Sequence, residues 1–206
     1  MALFLLKIIV GFAYAAFYSL PNYKTESDTW RYFLLSKEET KWLLQQPVAF
    51  LKDLFTYGYS TSGSLFGSEN SYWNNLKTNF FVKLLAACNV LTGTNYYADM
   101  ILFNFLFFLG SMALYKTVYL VTNTKTWLWV LPVFLEPSFL FWCSGLNKDG
   151  LLFSALCLSV YAFYKQLYRK KIIVGYVVLM LICFLVMFSL RNYLWFFLLP
   201  FLVVWY

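Results

Sequence analysis

The distribution of apolar residues along the chain constrains its fold more than any other feature. One apolar run covers Ala2 to Leu20, a mostly polar stretch follows from Pro21 to Asn95, and almost continuous hydrophobic segments fill the remainder. A hydrocarbon core about 30 Å thick takes about 20 apolar residues to cross as a helix. With 62% hydrophobic and 12% charged residues, the composition lies well outside the balance of a soluble domain. The expectation is an all-α integral membrane protein. Its polar stretch opens with Ser27-Asp28-Thr29-Trp30-Arg31-Tyr32, which sets Asp28 a short distance above the membrane surface.

Length and polarity predict six transmembrane helices: Ala2 to Leu20, about Tyr97 to Val118, about Trp127 to Trp142, about Leu151 to Tyr164, Ile172 to Leu190, and Tyr193 to Tyr206. Many Trp and Tyr residues fall at the ends of these runs, where amphipathic rings anchor at the interface. With the N-terminus in the cytoplasm, the inner connections carry Lys116, Lys125, Lys165, Arg169, Lys170 and Lys171 and no acid, the arrangement that short basic loops favour. The 21–95 stretch then forms one long exterior loop on a single membrane domain, 1–206, with the bundle over 97–206. The net charge of +7 follows from this topology, since the densest basic cluster flanks a span, and no nucleic-acid partner is expected.

The first run reads as an uncleaved signal anchor, because Lys7 interrupts it and Ser19-Leu20-Pro21 is a poor cleavage site. The four cysteines show no CxxC spacing. Cys88 and Cys143 could both lie near the exterior face and pair, but buried free thiols are the reading preferred here. The absence of histidine removes Ser-His-Asp and Cys-His catalysis, HExxH metal sites and histidine relays. Chemistry must come from carboxylates, Lys, Arg, Tyr or an oxygen-ligated metal.

Two segments of the polar stretch look amphipathic. Val48, Leu51, Leu54 and Phe55 follow a helix-starting Pro47; Trp73, Leu76, Phe80, Leu84 and Cys88 form a second stripe, with Lys77 and Lys83 largely opposite. Such helices either lie in the interface plane or pack on each other as a small cap. Tyr57 to Tyr72, rich in Gly, Ser and Thr, reads as a flexible loop.

Glu136 interrupts the third run, and a carboxylate at that depth is expected to face the bundle interior or a polar cavity, the alternative being a buried, protonated acid bonded to backbone groups that Pro137 leaves unpaired. Lys148-Asp149 follows the compact turn Cys143-Ser144-Gly145-Leu146-Asn147, where Asp149 either caps the next helix or points with Lys148 into the exterior mouth. Arg191 recurs at that depth, and Asp99 reads as a solvated interfacial acid. Asp28, Arg31, Lys148, Asp149 and Arg191 thus fall at one membrane boundary. Such a set suits sugar transfer from a polyprenyl phosphate, a carboxylate taking a proton from an acceptor hydroxyl while cations stabilise the departing phosphate.

In these features the chain resembles the GT-C class of membrane glycosyltransferases, those related to dolichyl-phosphate-mannose mannosyltransferases and their bacterial counterparts. The likeness lies in the first span, the long first exterior loop with two amphipathic helices, the acid of Ser27-Asp28-Thr29-Trp30-Arg31-Tyr32, and the segment from Pro137 to Asp149. It implies Asp28 as catalytic base and Lys148 and Asp149 as a second exterior-loop element; with the charges collected by topology and depth, the expected site is Asp28 and Asp149 as catalytic residues and Arg31, Lys148, Arg191 and Glu136 as substrate-binding residues. No cofactor is implied; a divalent metal stays open, since Asp28 has no adjacent acid and the nearest is Glu26. The implied partners are a polyprenyl-phosphate-sugar lipid, a glycan or protein acceptor, the membrane, and other membrane subunits, in a bacterial inner membrane with the long loop periplasmic. Members of that class usually have more spans, and this chain stops at Tyr206 inside an apolar run, so the expectation is the N-terminal part of a longer protein. A noncatalytic subunit of a larger membrane complex, and a lipid-linked oligosaccharide flippase or polymerase component, are the alternatives.

Overall fold

The computed structural model describes residues 1–24, 27–55, 71–123, 127–169 and 173–205. Glu26, Lys125, Lys170 and Lys171 lie outside the described residues, as does the expected loop up to residue 70. Every element among the described residues is helical: α1 (Ala2–Tyr18), α2 (Pro21–Lys24), α3 (Asp28–Gln45), α4 (Pro47–Asp53), α5 (Tyr72–Thr92), α6 (Tyr96–Thr122), a 3₁₀ turn (Trp127–Trp129), α7 (Val130–Phe134), α8 (Pro137–Trp142), α9 (Lys148–Arg169), α10 (Val174–Leu190) and α11 (Asn192–Trp205). Helix α6, and α9 as far as Tyr168, are long and apolar enough to cross a membrane; α1 and α10 are shorter apolar helices.

The bundle is built on α6, which packs against α1 on one side and α9 on the other, with α10 beyond α9. Small residues let α6 and α9 approach closely. A Cβ on Gly110 would come within 2.5 Å of the Ser154 Cα, and the Ser154 hydroxyl donates to the Leu106 carbonyl at 2.8 Å. Close backbone approach through Gly and Ser, with hydroxyl-to-carbonyl bonds across the seam, is how helices associate where the hydrophobic effect does not separate helix from solvent.

A second lobe, α3 with α4 and α5, sits on one end of this bundle. Helix α3 had no counterpart among the sequence expectations. Its buried stripe is Thr29, Tyr32, Phe33, Ser36 and Thr40, three of the five polar. Those hydroxyls are matched from α5, where Asn89 donates to Ser36 Oγ at 2.8 Å and to Thr40 Oγ1 at 3.1 Å. Helix α4 begins at Pro47 as the pattern predicts. Helix α5 departs from its pattern, for Lys83 is buried with the apolar residues. Its ammonium meets Glu39 at 2.9 Å and Asp53 at 3.3 Å, and lies 4.0 Å from the Phe50 ring centre. A paired and hydrogen-bonded charge can be buried where an isolated one cannot. Helix α5 is therefore wrapped by the lobe and closes against α3.

Two further expectations change. The third apolar run is not one helix: it breaks at Leu135-Glu136 between α7 and α8. Asp99 is fully buried rather than solvated, accepting from Thr92 Oγ1 at 2.6 Å. All four cysteines are free thiols, so Cys88 and Cys143 are not paired.

The Gly110 seam gives a direct test. Gly110→Ala sets a methyl against the backbone of α9, where only separation of the helices relieves the clash, and is expected to cost about 1–3 kcal/mol. Gly175, near the start of α10, has nothing within 4 Å of its Cβ position, so Gly175→Ala should not destabilise the fold. Thermal unfolding of the two variants in detergent, compared with wild type, measures the difference.

Candidate functional site

The turn from Cys143 to Asn147 joins α8 to α9 and is held residue by residue from three other helices. From α1, Lys7 Nζ donates to the Cys143 carbonyl at 3.0 Å. From α6, Asn104 Nδ2 donates to the Ser144 carbonyl at 2.8 Å. From α3, Thr29 Oγ1 accepts the Leu146 N–H at 3.2 Å and bonds the Tyr96 hydroxyl at 2.8 Å. The Asn147 amide then donates back to the α1 residue Tyr14 at 3.1 Å. Gly145 is required by packing, because a Cβ there would fall 2.2 Å from the Tyr14 ring. Buried backbone groups without partners cost free energy, and here each finds a side chain in place of a continuing helix.

The turn delivers Lys148 and Asp149 at the first positions of α9, beside the start of α3. Asp28, Lys77, Lys148, Asp149 and Arg191 converge there on a cavity of about 230 Å³, with Leu152 and Leu190 as its apolar wall. The cations come from α5, α9 and the α10–α11 junction, and the acids from α3 and α9. Arg191 donates to Asp149 at 3.2 Å and to the Tyr193 hydroxyl at 2.9 Å. This ion pair is open to solvent, Asp149 being 67% and Arg191 47% exposed, so the pair itself contributes little to stability.

Tyr32 ties the two sides of the mouth together. It is buried one turn along α3 from Asp28, and the Lys148 ammonium lies 4.5 Å from its ring centre. Burial, reinforced by the Asp28 charge, pushes its hydroxyl well above the usual phenolic range, so it stays neutral beside Asp28. A neighbouring cavity of about 140 Å³ shares Lys77, Leu190 and Arg191 and adds Trp73, Asn74, Asn192 and Tyr193. Trp73 stands edge-on to Phe188 with ring centres 5.3 Å apart. The mouth therefore has a charged compartment continuous with one walled by aromatic rings and amides.

Of the residues singled out from sequence, the structure brings together Asp28, Lys148, Asp149 and Arg191. Arg31 is exposed and does not line the cavity. Glu136 is also exposed, against the expectation of an interior position, and its carboxylate accepts the backbone N–H groups of Ser138 and Phe139 as the cap of α8. It is an exposed helix cap accepting N–H groups, and so not the buried, protonated acid of the alternative expectation either. Lys77 and Tyr32 were missed. Tyr32 lies four residues after Asp28, the spacing that places two side chains on one helical face, but α3 itself was not anticipated. Lys77 follows Trp73 by the same interval on α5, and the pattern assigned it only to a polar side.

Among the described residues no group of three or more thiols and carboxylates gathers as a metal ion would require. Asp28 and Asp149 are the two carboxylates the mouth offers a cation. No known protein family, curated protein or solved structure matches the chain.

Proposed function

We propose that the protein is a membrane glycosyltransferase of GT-C type, with six spans and the α3–α5 lobe outside the membrane, which moves a sugar from a polyprenyl phosphate to an acceptor hydroxyl. The observation that carries this reading is the convergence of three cations and two carboxylates from four separate segments on one cavity. Apolar helices long enough to reach a lipid surface support it, because the donor would be held in the membrane with its phosphate at the mouth. A bacterial inner membrane with the lobe periplasmic is the matching location, and the acceptor is a glycan or protein hydroxyl.

In this mechanism Asp28, at the first turn of α3 beside the buried Tyr32, takes the acceptor proton. The acceptor oxygen forms its bond to the anomeric carbon as the bond to phosphate oxygen breaks, with inversion. The polyprenyl phosphate departs with the bonding pair, and Lys77, Lys148 and Arg191 meet its charge. Preorganised cations in a recess partly shielded from water stabilise a leaving phosphate far better than solvated ones. Asp149 fixes the Arg191 guanidinium and keeps the empty mouth from being a concentrated positive field. The aromatic and amide compartment around Trp73 suits the sugar, whose C–H faces stack on rings while its hydroxyls bond amides.

Two outcomes test this. Asp28→Asn should lower transfer from a polyprenyl-phosphate hexose in proteoliposomes by at least about a hundredfold, the scale of general-base catalysis, with the thermal transition unchanged. Retained activity in that variant removes Asp28 from the mechanism. Lys77→Gln and Arg191→Gln should each weaken binding of bare polyprenyl phosphate by about tenfold or more, as expected for loss of a charge-assisted bond, in a titration followed by tryptophan fluorescence. Unchanged affinity in both variants removes the phosphate from this cavity.

A further inference from the structure

We infer that Lys7, in the first apolar helix and remote from the cavity, is a positioning residue that sets the Cys143–Asn147 turn and through it Lys148 and Asp149. The inference rests on the reading of the mouth as a phosphate site, but its first measurement does not depend on that reading.

Lys7 is 3% exposed in a helix otherwise made of apolar residues and glycine. Among the described residues no carboxylate stands within 4.0 Å of its ammonium. It is held instead by the Cys143 carbonyl at 3.0 Å and the Ser144 hydroxyl at 3.5 Å, with the Phe139 and Phe107 ring centres at 4.7 and 6.0 Å. Taking an ammonium out of water into such surroundings is expensive, and a membrane-spanning position makes it more so. The compensation comes almost entirely from the end of α8, whose last carbonyls lack partners within their own helix.

That dependence runs both ways. Methionine at this position fills similar space and needs no acceptor, but it leaves the Cys143 carbonyl buried and unpaired. The turn then keeps its bonds to Asn104 and Thr29 but loses its anchor at the Cys143 end, where the chain leaves α8. Lys7 shares its face with Gly11 and Tyr14, both in contact with the same turn, so the whole α1 stripe serves one five-residue segment. The residue next after that segment is Lys148. Glycine at Gly11 lets α1 come close enough for the grip, since a Cβ would lie 3.0 Å from both the Ser144 carbonyl oxygen and the Asn104 amide.

The test compares Lys7→Met and Lys7→Arg with wild type in proteoliposomes, using two readouts. The first is the rate at which a membrane-permeant maleimide labels Cys143, resolved by peptide mass spectrometry, with Cys157 on α9 and Cys183 on α10 as internal references; all three are buried. The second is affinity for bare polyprenyl phosphate. Lys7→Met should label Cys143 at least about tenfold faster while Cys157 and Cys183 stay protected, and should bind polyprenyl phosphate about tenfold more weakly, the scale set by losing a bond to a charged donor. Lys7→Arg keeps the charge and the donors and should restore both. Protection of Cys143 in Lys7→Met, equal acceleration at all three thiols, or faster labelling with unchanged phosphate affinity overturns the inference. If wild type binds no polyprenyl phosphate, the proposed function falls, and the labelling pattern alone decides whether Lys7 sets the turn. Lys7→Gln replaces Lys7→Met if the latter does not assemble; failure of both assigns Lys7 to folding and ends the positioning role.

Discussion

The turn between α8 and α9 is the constraint on which the rest of the structure depends. Helices α1, α3 and α6 each contribute a polar side chain to a different backbone group of the same five residues. Buried backbone that is neither helix nor sheet must be satisfied from outside. Here the suppliers are polar side chains from other helices, Lys7, Asn104 and Thr29, while Tyr14 holds the Asn147 side chain. They make the turn a junction between the bundle and the α3–α5 lobe, and the charged mouth opens where that junction ends.

This explains why the sequence is legible in some places and silent in others. The long apolar helices α6 and α9, the Pro47 start of α4, and the gathering of Asp28, Lys148, Asp149 and Arg191 follow from hydropathy, turn chemistry and charge topology. Helix α3 does not, because its inward face alternates aromatic residues with Ser36 and Thr40, which read as solvent-facing until Asn89 is brought opposite them. Lys83 fails for the same reason: it belongs on a polar face unless Glu39 and Asp53 come from other helices to meet it. Hydropathy measures what a residue costs alone. It does not record a partner supplied from another element far along the chain.

Glu136 and Asp99 show the limit from the other side. Each was placed by depth along an apolar run, and each is positioned instead by a nearby hydrogen-bonding group, Glu136 by the freed N–H groups of α8 and Asp99 by Thr92. Local bonding decides which way a carboxylate points within the few residues it can reach. Only residues whose neighbours in sequence cannot satisfy them are left to take part in a site assembled from a distance.

That distinction separates the two charge clusters of the lobe. Around Lys83 the charges close on themselves: a buried ammonium meets two carboxylates and is covered by the Phe50 and Trp42 rings. Such a triad holds α3, α4 and α5 in register, and removing one member would strand the others. At the mouth the balance is reversed. Three cations share two carboxylates, the single close ion pair there is exposed and weak, and Lys148 rests against a tyrosine ring rather than an acid. The cavity therefore carries an uncompensated positive charge beside the Asp28 carboxylate. An arrangement left incomplete in this way is suited to an anionic group arriving from outside, with Asp28 next to it to accept a proton.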